Sequence, residues 1–334
     1  MPMEIPDSHG DRIVLSIHPL GRFGVGGRER SAMMKANLRR VWPLALLGWL
    51  AGCSGTDTPT SVDEGVVEKR TEVMAGPPYE ANPVVSPDGQ WVYFEADADG
   101  DMEIFRVSLT GGLPEQLTVN TVFDSSPSVS PDGTHLVYES DLAGHRHIYA
   151  LDLAQIENGP VALTSGTFDD AGPAWSPKQG AIVFESNRDK IVGLDLYLVS
   201  SAGADLGRLT TTAEGIYCRT ADWSADGSHV VYESNATGWS ALYTIGVAGG
   251  KGVQITPDAG YEGHPAWSPL GDVIAFESTR DGATQIYLTP ATGGSWTQLT
   301  RLGGYWPQWS PDGTAIVYGV FDGANADVVT ITVP

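Results

Sequence analysis

The stretch PAWSPLGDVIAFESTRDGATQIY, from Pro265 to Tyr287, has the pattern of a strand, a turn, a strand, a second turn and a third strand. Closely similar stretches begin at Ala174 (AWSPKQGAIVFESNRD) and at Gln308 (QWSPDGTAIVYG). Self-similarity at a regular spacing is the signature of repeat architectures. The three stretches therefore indicate a protein built from repeats.

Six copies of the unit follow one another along the chain. A serine opens the S-P-D-G-type turn of each copy, and these serines are separated by 44, 46, 48, 44 and 42 residues. In such a turn proline presets φ and glycine supplies a positive φ, so the residues suit a tight connection between strands. The marker serines are Ser86, Ser130, Ser176, Ser224, Ser268 and Ser310.

Each copy predicts four short strands with apolar residues on both faces of a small sheet. Radial packing of such sheets gives an all-β, six-bladed β-propeller of four-stranded blades. An open solenoid is the alternative, but no polar capping repeat is visible at either end. The sixth copy lacks its last strand, whereas VVEKRTEV (Val66–Val73) has strand character and a threonine in a suitable place. We expect this N-terminal segment to complete the last blade and close the ring.

The N-terminal region resembles an export signal. Lys35, Arg39 and Arg40 precede an apolar run, Val41–Leu50, which is too short to span a bilayer. The following LAGC resembles the bacterial lipobox, which implies cleavage before Cys53 and a diacylglycerol on its thiol. Two or three acyl chains anchor a protein stably.

The signal divides the chain into four parts. Translation is expected to start at Met33 or Met34, and Ser54 after the cysteine favours the outer membrane by resemblance to lipoprotein sorting rules. The polar segment that follows suits a flexible tether. The parts are an upstream or non-native extension (1–32), a lipoprotein signal peptide (33–52), a tether (53–65) and the propeller (66–334).

Composition restricts the partners. The chain has 41 Gly, 22 Pro, ten Trp and twelve Tyr, which suits many short strands, and its net charge is −22. So acidic a protein repels phosphate, which argues against nucleic acid as a partner. Two cysteines, Cys53 and Cys218, cannot form a disulfide framework if the first is lipidated.

The W-S-P-D-G, F-E-S-x-R-D-G and I-Y elements resemble the PD40 (WD40-like) repeats of TolB-type six-bladed propellers. The resemblance covers about Val66 to Pro334 and implies the fold rather than a function. TolB-type proteins carry an α/β domain before the propeller, whereas here we expect only the tether before the first blade. Relatives of prolyl oligopeptidase join a similar propeller to a serine hydrolase, but this sequence contains no G-x-S-x-G. The closest matches to the repeat are Trp175-Ser-Pro with Phe184 to Asp189, and Trp267-Ser-Pro with Phe276 to Asp281.

From the lipobox and the propeller together we expect an envelope lipoprotein at the outer membrane, on the periplasmic side or the cell surface, that acts as a non-catalytic binding scaffold. The expected partner is an envelope protein, a peptide or a glycan. Membrane contact is expected through the lipid anchor only, and the protein is expected to be monomeric. The alternative is a carbohydrate-active enzyme, a metal-assisted lyase or hydrolase with its site at the channel mouth. Residues 53–334 contain only 12 basic residues, which makes such a site hard to assemble.

The connections between consecutive blades predict a binding rim around the central channel. These connections repeatedly place an aromatic residue beside an acid, a combination that suits sugars, basic peptides or cations. Packing of the aromatics between blades is the alternative. The predicted rim consists of Tyr79, Glu80, Phe123, Asp124, Phe168, Asp169, Tyr217, Tyr261, Glu262 and Tyr305.

The second strand of five copies carries a glutamate, and Gly319 stands at that position in the sixth. A ring of glutamates suggests a metal or proton site. The structural alternative is that each carboxylate accepts hydrogen bonds from loop N–H groups or from the R-D-G arginine of its own blade. The five are Glu95, Glu139, Glu185, Glu233 and Glu277.

Other motifs give weaker indications, and no cofactor is expected. Asp97, Asp99 and Asp101 alternate as in a Ca²⁺ loop, but their glycine is out of place and a turn already explains them. His145 and His147 would share a strand face near Asp141, without a further ligand at a fixed spacing. Cys218, placed in a loop between blades, is expected to be a packed side chain, since no base can be placed beside it.

Overall fold

The computed structural model describes residues 5–6, 12–13, 71–74, 80–97, 100–178, 180–257, 260–322 and 325–333. Apart from one 3-10 turn, Ile156–Asn158, the regular elements of this part are β-strands. Two of them, β1 (Ile5–Pro6) and β2 (Arg12–Ile13), pair with each other as a separate small sheet. No helix among the described residues is long and apolar enough to cross a membrane.

The remaining strands form six four-stranded antiparallel sheets, which confirms the predicted all-β, six-bladed fold. In five blades the strands follow in chain order from the innermost to the outermost. Blade 1 contains β4 (Glu80–Val85), β5 (Trp91–Asp97), β6 (Met102–Ser108) and β7 (Glu115–Gln116). Blade 2 contains β8 (Asp124–Val129), β9 (His135–Ser140), β10 (His147–Asp152) and β11 (Val161–Ala162). Blade 3 contains β12 (Asp170–Trp175), β13 (Ala181–Ser186), β14 (Asp195–Ser200) and β15 (Asp205–Arg208).

Blades 4 and 5 repeat this order, and blade 6 takes its outermost strand from the N-terminal side of the chain. Blade 4 contains β16 (Cys218–Trp223), β17 (His229–Ser234), β18 (Ala241–Gly246) and β19 (Val253–Gln254). Blade 5 contains β20 (Glu262–Trp267), β21 (Val273–Ser278), β22 (Gln285–Pro290) and β23 (Thr297–Gln298). Blade 6 contains β24 (Tyr305–Trp309), β25 (Ala315–Asp322), β26 (Asn325–Thr332) and β3 (Thr71–Met74).

The ring is closed. Each innermost strand contacts the innermost strand of the next blade, and β24 of blade 6 contacts β4 of blade 1. The closing strand β3 pairs with β26, with Thr71 opposite Thr330 and Met74 opposite Val328. The predicted closure is therefore confirmed over Thr71–Met74, and an open solenoid is not what forms.

The hydrophobic core is divided among the six seams between blades. Each of six buried clusters combines residues of two neighbouring blades. At the seam between blades 2 and 3, for example, Val137 and Ile148 pack with Ile182 and Phe184. Apolar residues on both faces of a strand are thus explained, because each blade has a neighbour on either side.

The antiparallel order gives the propeller two distinct faces. The S-P-D-G turns and the connections from third to fourth strands lie on one face, here called the turn face. The connections between blades and those from second to third strands lie on the other, here called the mouth face. The S-P-D-G turns are internally bonded: Ser86 Oγ donates to Asp88 at 2.6 Å and accepts from the Trp91 N–H at 2.9 Å.

A bulge occurs at the same point of every innermost strand. One residue per blade has a φ between 44° and 56°, in the left-handed region, and the strand register shifts there. A β-bulge bends its strand and leaves a main-chain group outside the ladder. The six residues are Asn82, Ser126, Gly172, Thr220, His264 and Trp306.

Closure predicts a stability difference between two truncations. A chain beginning at Thr71 keeps β3, whereas a chain beginning at residue 75 exposes the edge of β26 and loses ladder hydrogen bonds, each contributing about 0.5–1.5 kcal/mol net. We expect the shorter chain to have a lower Tm and to aggregate on heating, as measured by calorimetry and light scattering. Equal Tm values for the two chains would show that β3 does not close the ring.

Candidate functional site

The predicted rim residues that the structure describes lie on the mouth face, where the innermost strands begin. Glu80, Asp124 and Glu262 have 0% exposed surface, whereas the Asp169 side chain is 34% exposed. Tyr79 lies outside the described residues. The aromatic members are partly buried: Phe123, Phe168, Tyr217, Tyr261 and Tyr305.

Two buried acids at the start of innermost strands pair with an arginine of their own blade. Arg188 Nη2 donates to Asp170 Oδ1 at 2.8 Å, and Arg280 Nη2 donates to Glu262 Oε1 at 2.5 Å. Both arginines come from R-D-G motifs. These arginines are therefore engaged by the first residue of the innermost strand, and not by the second-strand glutamates with which the sequence analysis paired them.

The seam between blades 1 and 2 holds two carboxyl groups. Glu103 accepts from Thr118 Oγ1 at 2.5 Å and from the Asn120 N–H at 2.7 Å, while Asn120 Nδ2 donates to Asp124 Oδ2 at 2.7 Å. Burial raises the pKa of Glu103 to about 7 and also raises the pKa of Asp124. The negative charge of Asp124 further raises the pKa of Glu103, so this pair readily retains a proton near neutral pH.

The aromatic rim residues pack against the blade seams. Phe168 contacts the ring of His147 edge-on at 6.3 Å and lies under the Arg188 guanidinium at 4.6 Å. Tyr305 meets the ring of Phe321 at 4.7 Å. These contacts match the packing alternative, while the partial exposure leaves part of each ring on the surface. Whether the rim binds a partner stays a prediction.

The second-strand glutamates connect consecutive blades. Glu95 Oε2 accepts from the Ser126 N–H at 2.9 Å, and Glu139 Oε2 accepts from the Gly172 N–H at 2.7 Å. Each acceptor lies in one blade and each donor in the bulge of the next blade. The same bond joins Glu185 Oε2 to the Thr220 N–H at 3.3 Å and Glu277 Oε1 to the Trp306 N–H at 2.6 Å.

The two remaining positions of the glutamate ring differ. Glu233 accepts from Arg219 Nη2 at 2.6 Å and from Tyr261 Oη of the next blade at 3.3 Å. In blade 6 a Cβ at Gly319 would lie 2.8 Å from Cε3 of Trp306. The Trp306 indole therefore occupies the space of the missing side chain.

Three bases lie beside the glutamates and are more accessible to solvent. The side chains of Arg219, His264 and Arg146 are 44%, 31% and 22% exposed, whereas that of Glu139 is 5% exposed. His264 Nδ1 lies 3.1 Å from Glu277 Oε1. Burial lowers the pKa of His264, but the neighbouring carboxylate outweighs it and the net shift is upward. A ligand at the mouth therefore meets these bases before it meets the second-strand glutamates.

These bases were missed by the sequence analysis. The available signal was departure from the repeat: Arg219 stands where four other blades have Ala81, Ser125, Ala171 and Gly263. A large charged residue at a position that four other blades fill with small residues faces a different environment from those counterparts.

The turn face offers two open clefts at neighbouring seams. The cleft between blades 1 and 2 has a volume of about 360 Å³, and Trp91, Arg106 and Asp132 contribute to its walls. The cleft between blades 2 and 3 has about 410 Å³, with His135 and Trp175 at its side. Both are lined by the internally bonded turns.

The comparisons with known proteins agree with this geometry. The family model described as the TolB β-propeller domain, PD40, matches residues 65–216 and 207–333. The chain belongs to the PD40 family of TolB β-propellers. No curated protein matches the sequence.

Several solved structures share the propeller of this PD40 protein. A putative TolB from Agrobacterium tumefaciens is 23% identical, with a TM-score of 0.58 over 80% of this chain and 91% of that chain. TolB from Acinetobacter baumannii is 18% identical, with a TM-score of 0.61 over 76% of this chain and 63% of that chain. An oligogalacturonate lyase from Vibrio parahaemolyticus is 13% identical, with a TM-score of 0.53 over 82% of this chain and 96% of that chain. At these identities the likeness shows the fold alone.

The metal and cysteine candidates of the PD40 propeller are placed as follows. Asp97 Oδ1 accepts from the Gly100 N–H at 3.0 Å, and Asp99 lies outside the described residues. Among the described residues, no group of three or more His, Cys, Asp or Glu side chains is arranged to hold a metal ion. The Ca²⁺ hypothesis stays untested.

The two histidines face acids of the next blade. His145 Nδ1 lies 3.6 Å from Asp169 Oδ1, and His147 Nδ1 lies 3.5 Å from Asp170 Oδ2. Cys218 is the first residue of β16, not a loop residue as expected, and it is completely buried. Burial raises the pKa of its thiol, which suits a packed side chain.

The glutamate clamps predict the effect of losing one of them. Glu139→Ala leaves the Gly172 N–H and the Ser125 hydroxyl without their acceptor, and each unsatisfied buried group costs about 1–3 kcal/mol. We expect Glu139→Ala to lower the free energy of unfolding in urea by more than about 1 kcal/mol. The free energy of unfolding of Glu139→Gln should lie between those of the wild type and Glu139→Ala. Glu115→Ala, at an exposed ion pair, is the control and should change stability little. Equal effects at positions 139 and 115 would contradict the clamp.

The buried carboxyl groups predict a pH dependence of stability. Burial raises the pKa values of Glu95, Glu185 and Glu262, like that of Glu103, to about 7 from an ordinary 4.5. A pKa raised by folding gives a stability contribution that is complete below about pH 4.5 and is lost as the pH rises through about 7. We therefore expect the Tm to fall between pH 5.5 and pH 8.

Asp124→Asn should flatten part of this slope, because it removes the negative charge that helps to raise the pKa of Glu103. Asp132→Asn is the matched control. Its carboxyl is exposed and its hydrogen bonds to Ser130 and Thr134 lower its pKa to about 2, outside this window. A Tm that rises from pH 5.5 to pH 8 would contradict the raised pKa values.

Proposed function

We propose that this protein is an outer-membrane lipoprotein whose propeller binds a protein partner, without catalysis, through its mouth face. Membership of the PD40 TolB family supports the binding role. The LAGC motif that ends at Cys53 supports the lipid anchor, although Cys53 lies outside the described residues. An envelope location on the periplasmic side or at the cell surface follows from the same motif.

The observation that carries the non-catalytic proposal is the use of the channel acids. Glu95, Glu139, Glu185 and Glu277 each accept a main-chain N–H of the next blade. A carboxylate that holds two blades together is not free to move protons to and from a substrate. The channel end is therefore better suited to binding than to acid–base chemistry.

The mouth face also differs between blades, as a specific binding surface must. Arg146, Arg219 and His264 each occur in one blade only, whereas the S-P-D-G turns repeat the same internal hydrogen bonds. Loops held by a rigid scaffold are where binding concentrates. The described members of the predicted rim, among them Phe123 and Tyr261, belong to this surface.

The strand order supports an orientation relative to the membrane. Thr71 pairs with Thr330 near the end of β26, so the chain enters β3 from the turn face. A tether from Cys53 would then reach the propeller at its turn face. The mouth face would point away from the membrane and be open to a partner.

The anchor proposal is tested by the modification of Cys53. We expect the mature protein to begin at Cys53, to carry acyl chains there and to fractionate with membranes, whereas Cys53→Ser should be unprocessed or soluble. Intact-mass spectrometry and membrane fractionation measure both properties. Wild-type protein without acyl mass in the soluble fraction would contradict the anchor.

The binding proposal is tested by site-specific photo-crosslinking in intact envelopes. A photoreactive residue at position 219, on the mouth face, is expected to capture a partner that position 228, on the turn face, does not. Replacing Tyr79, Phe123 and Tyr261 with Ala should abolish this capture while the Tm shows that the propeller remains folded. Replacing Asp88 and Asp312 with Asn should lower the Tm and leave capture intact. Capture that follows the turn face instead would overturn the proposal.

A carbohydrate-active enzyme is the second candidate. The fold is shared with an oligogalacturonate lyase from Vibrio parahaemolyticus, and the mouth carries Arg146, Arg219 and His264 beside carboxylates. Incubation with oligogalacturonate and Mn²⁺, followed by the ultraviolet absorbance of an unsaturated product, tests this candidate. Turnover that is lost in His264→Ala would favour the enzyme over the scaffold.

A further inference from the structure

The connection between β13 and β14 in blade 3 differs from its counterparts. It spans eight residues, 187–194, whereas the corresponding connections of blades 2, 4 and 5 span six. Its apex carries Ile191, which is 95% exposed, and Val192, which is 51% exposed. Single exposed apolar residues are common on protein surfaces and need no explanation. The structure beneath this pair is what sets it apart.

A buried lysine holds the loop from below. The Lys190 side chain is only 3% exposed, and its Nζ lies 3.0 Å from Asp195 Oδ2. The same ammonium donates to Thr212 Oγ1 at 2.5 Å and to the Ile216 carbonyl at 2.9 Å, with further contacts to the carbonyls of residues 194 and 213. Burying an ammonium is costly unless it is paired and hydrogen-bonded, and here it ties the loop to the connection that leads into blade 4.

The apex is also fixed from the side. Glu214 accepts from the N–H groups of Ile191 and Val192 at 3.4 and 3.0 Å, and the Gly215 N–H donates to the Val192 carbonyl at 2.8 Å. Gly193 has a φ of 119°, and a Cβ there would lie 2.4 Å from the Ile216 carbonyl oxygen. The connection 187–194 and the segment 212–216 are thus held together as one rigid unit, here called the projection, with Ile191 and Val192 at its tip.

We infer that Ile191 and Val192 form a preformed apolar contact that inserts into a pocket on a partner protein. This inference rests on the proposed function, and it moves the main contact from the channel mouth to the blade 3 projection. Because the backbone of this tip is held in place before binding, little conformational entropy is lost there, and an apolar side chain that fills a desolvated pocket at the centre of an interface contributes to affinity. Leu142 in blade 2 and Trp239 in blade 4, 44% and 62% exposed, lie in the equivalent connections on either side.

Charge indicates the chemistry of the partner. Glu214 and Asp189 lie in the two connections that form the projection. Asp189 is 52% exposed but lies 3.3 Å from the Arg208 guanidinium, so the acidic character of this surface rests on Glu214 and on the net charge of −22 of the chain. An apolar pocket bordered by lysine or arginine complements this surface. An anionic membrane surface is disfavoured by the same charge.

The test places a photoreactive residue at position 191 of the full lipidated chain in intact envelopes. We expect a single adduct with another protein, whose crosslinked peptide maps to an apolar pocket bordered by basic residues. With that protein purified, Val192→Ser and Ile191→Ser should each weaken Kd at least tenfold, and affinity should fall as salt rises. Val253→Ser, at a valine that is 62% exposed on β19, is the matched control and should leave Kd unchanged.

The support of the projection is tested separately. Glu214→Ala removes the acceptor of two apex amides at an exposed position, so the propeller should keep its Tm while Kd weakens. Lys190→Met should weaken Kd in the same direction and also lower the Tm.

The remaining outcomes distinguish this inference from the proposed function. An adduct from position 219 but none from position 191 would overturn the projection and leave the binding scaffold standing. Adducts of position 191 with lipid or with a second copy of the chain would also overturn it. Absence of adducts from both positions, together with an unacylated Cys53, would instead overturn the proposed function.

Discussion

The hydrogen bond from the bulge of one blade to the glutamate of the preceding blade is the interaction on which the ring depends. Each innermost strand turns into left-handed backbone at one residue, which releases an N–H from the ladder next to the channel. A buried N–H without an acceptor is costly, and at four seams the second strand of the preceding blade supplies that acceptor as a carboxylate. The buried clusters at the seams consist of apolar side chains, whose contacts are not directional. The hydrogen bonds to the glutamates therefore help to fix the orientation of neighbouring blades.

The same bond limits what the channel can do. Burial raises the pKa values of Glu95 and Glu185 to about 7, because a charged carboxylate loses its hydration there. The groups that look most like catalytic acids are therefore explained by the way the blades are joined. The accessible side chains at the mouth include three bases, several acids and half-buried aromatics, which differ between blades although the strand scaffold is repeated.

The sequence predicted the architecture because each copy of the repeat, marked by its S-P-D-G serine, forms one blade. It also predicted the closing strand, since blade 6 lacks its own fourth strand. The bulge could not be predicted from residue type, because Asn82, Thr220 and Trp306 have nothing in common there. Proline follows the bulge residue in five blades and normally favours extended backbone before it. Its position inside a strand was the signal for a bulge.

The candidate site was less predictable because its acids and aromatics serve two blades at once. Sequence spacing showed that acids such as Asp124 and Glu262 recur in the connections between blades, but not that they begin the innermost strands and are fully buried. Only tertiary contact shows that Arg280 reaches Glu262, or that Glu139 reaches Gly172 across a seam.

Amide hydrogen exchange measures the central interaction most directly. The Ser126, Gly172 and Trp306 amides lie beside the channel and donate to a carboxylate of the preceding blade. If the glutamates join the blades, these amides exchange as slowly as the surrounding ladder amides, and Gly172 loses its protection in Glu139→Ala. Rapid exchange of these amides in the folded wild-type protein would contradict the account.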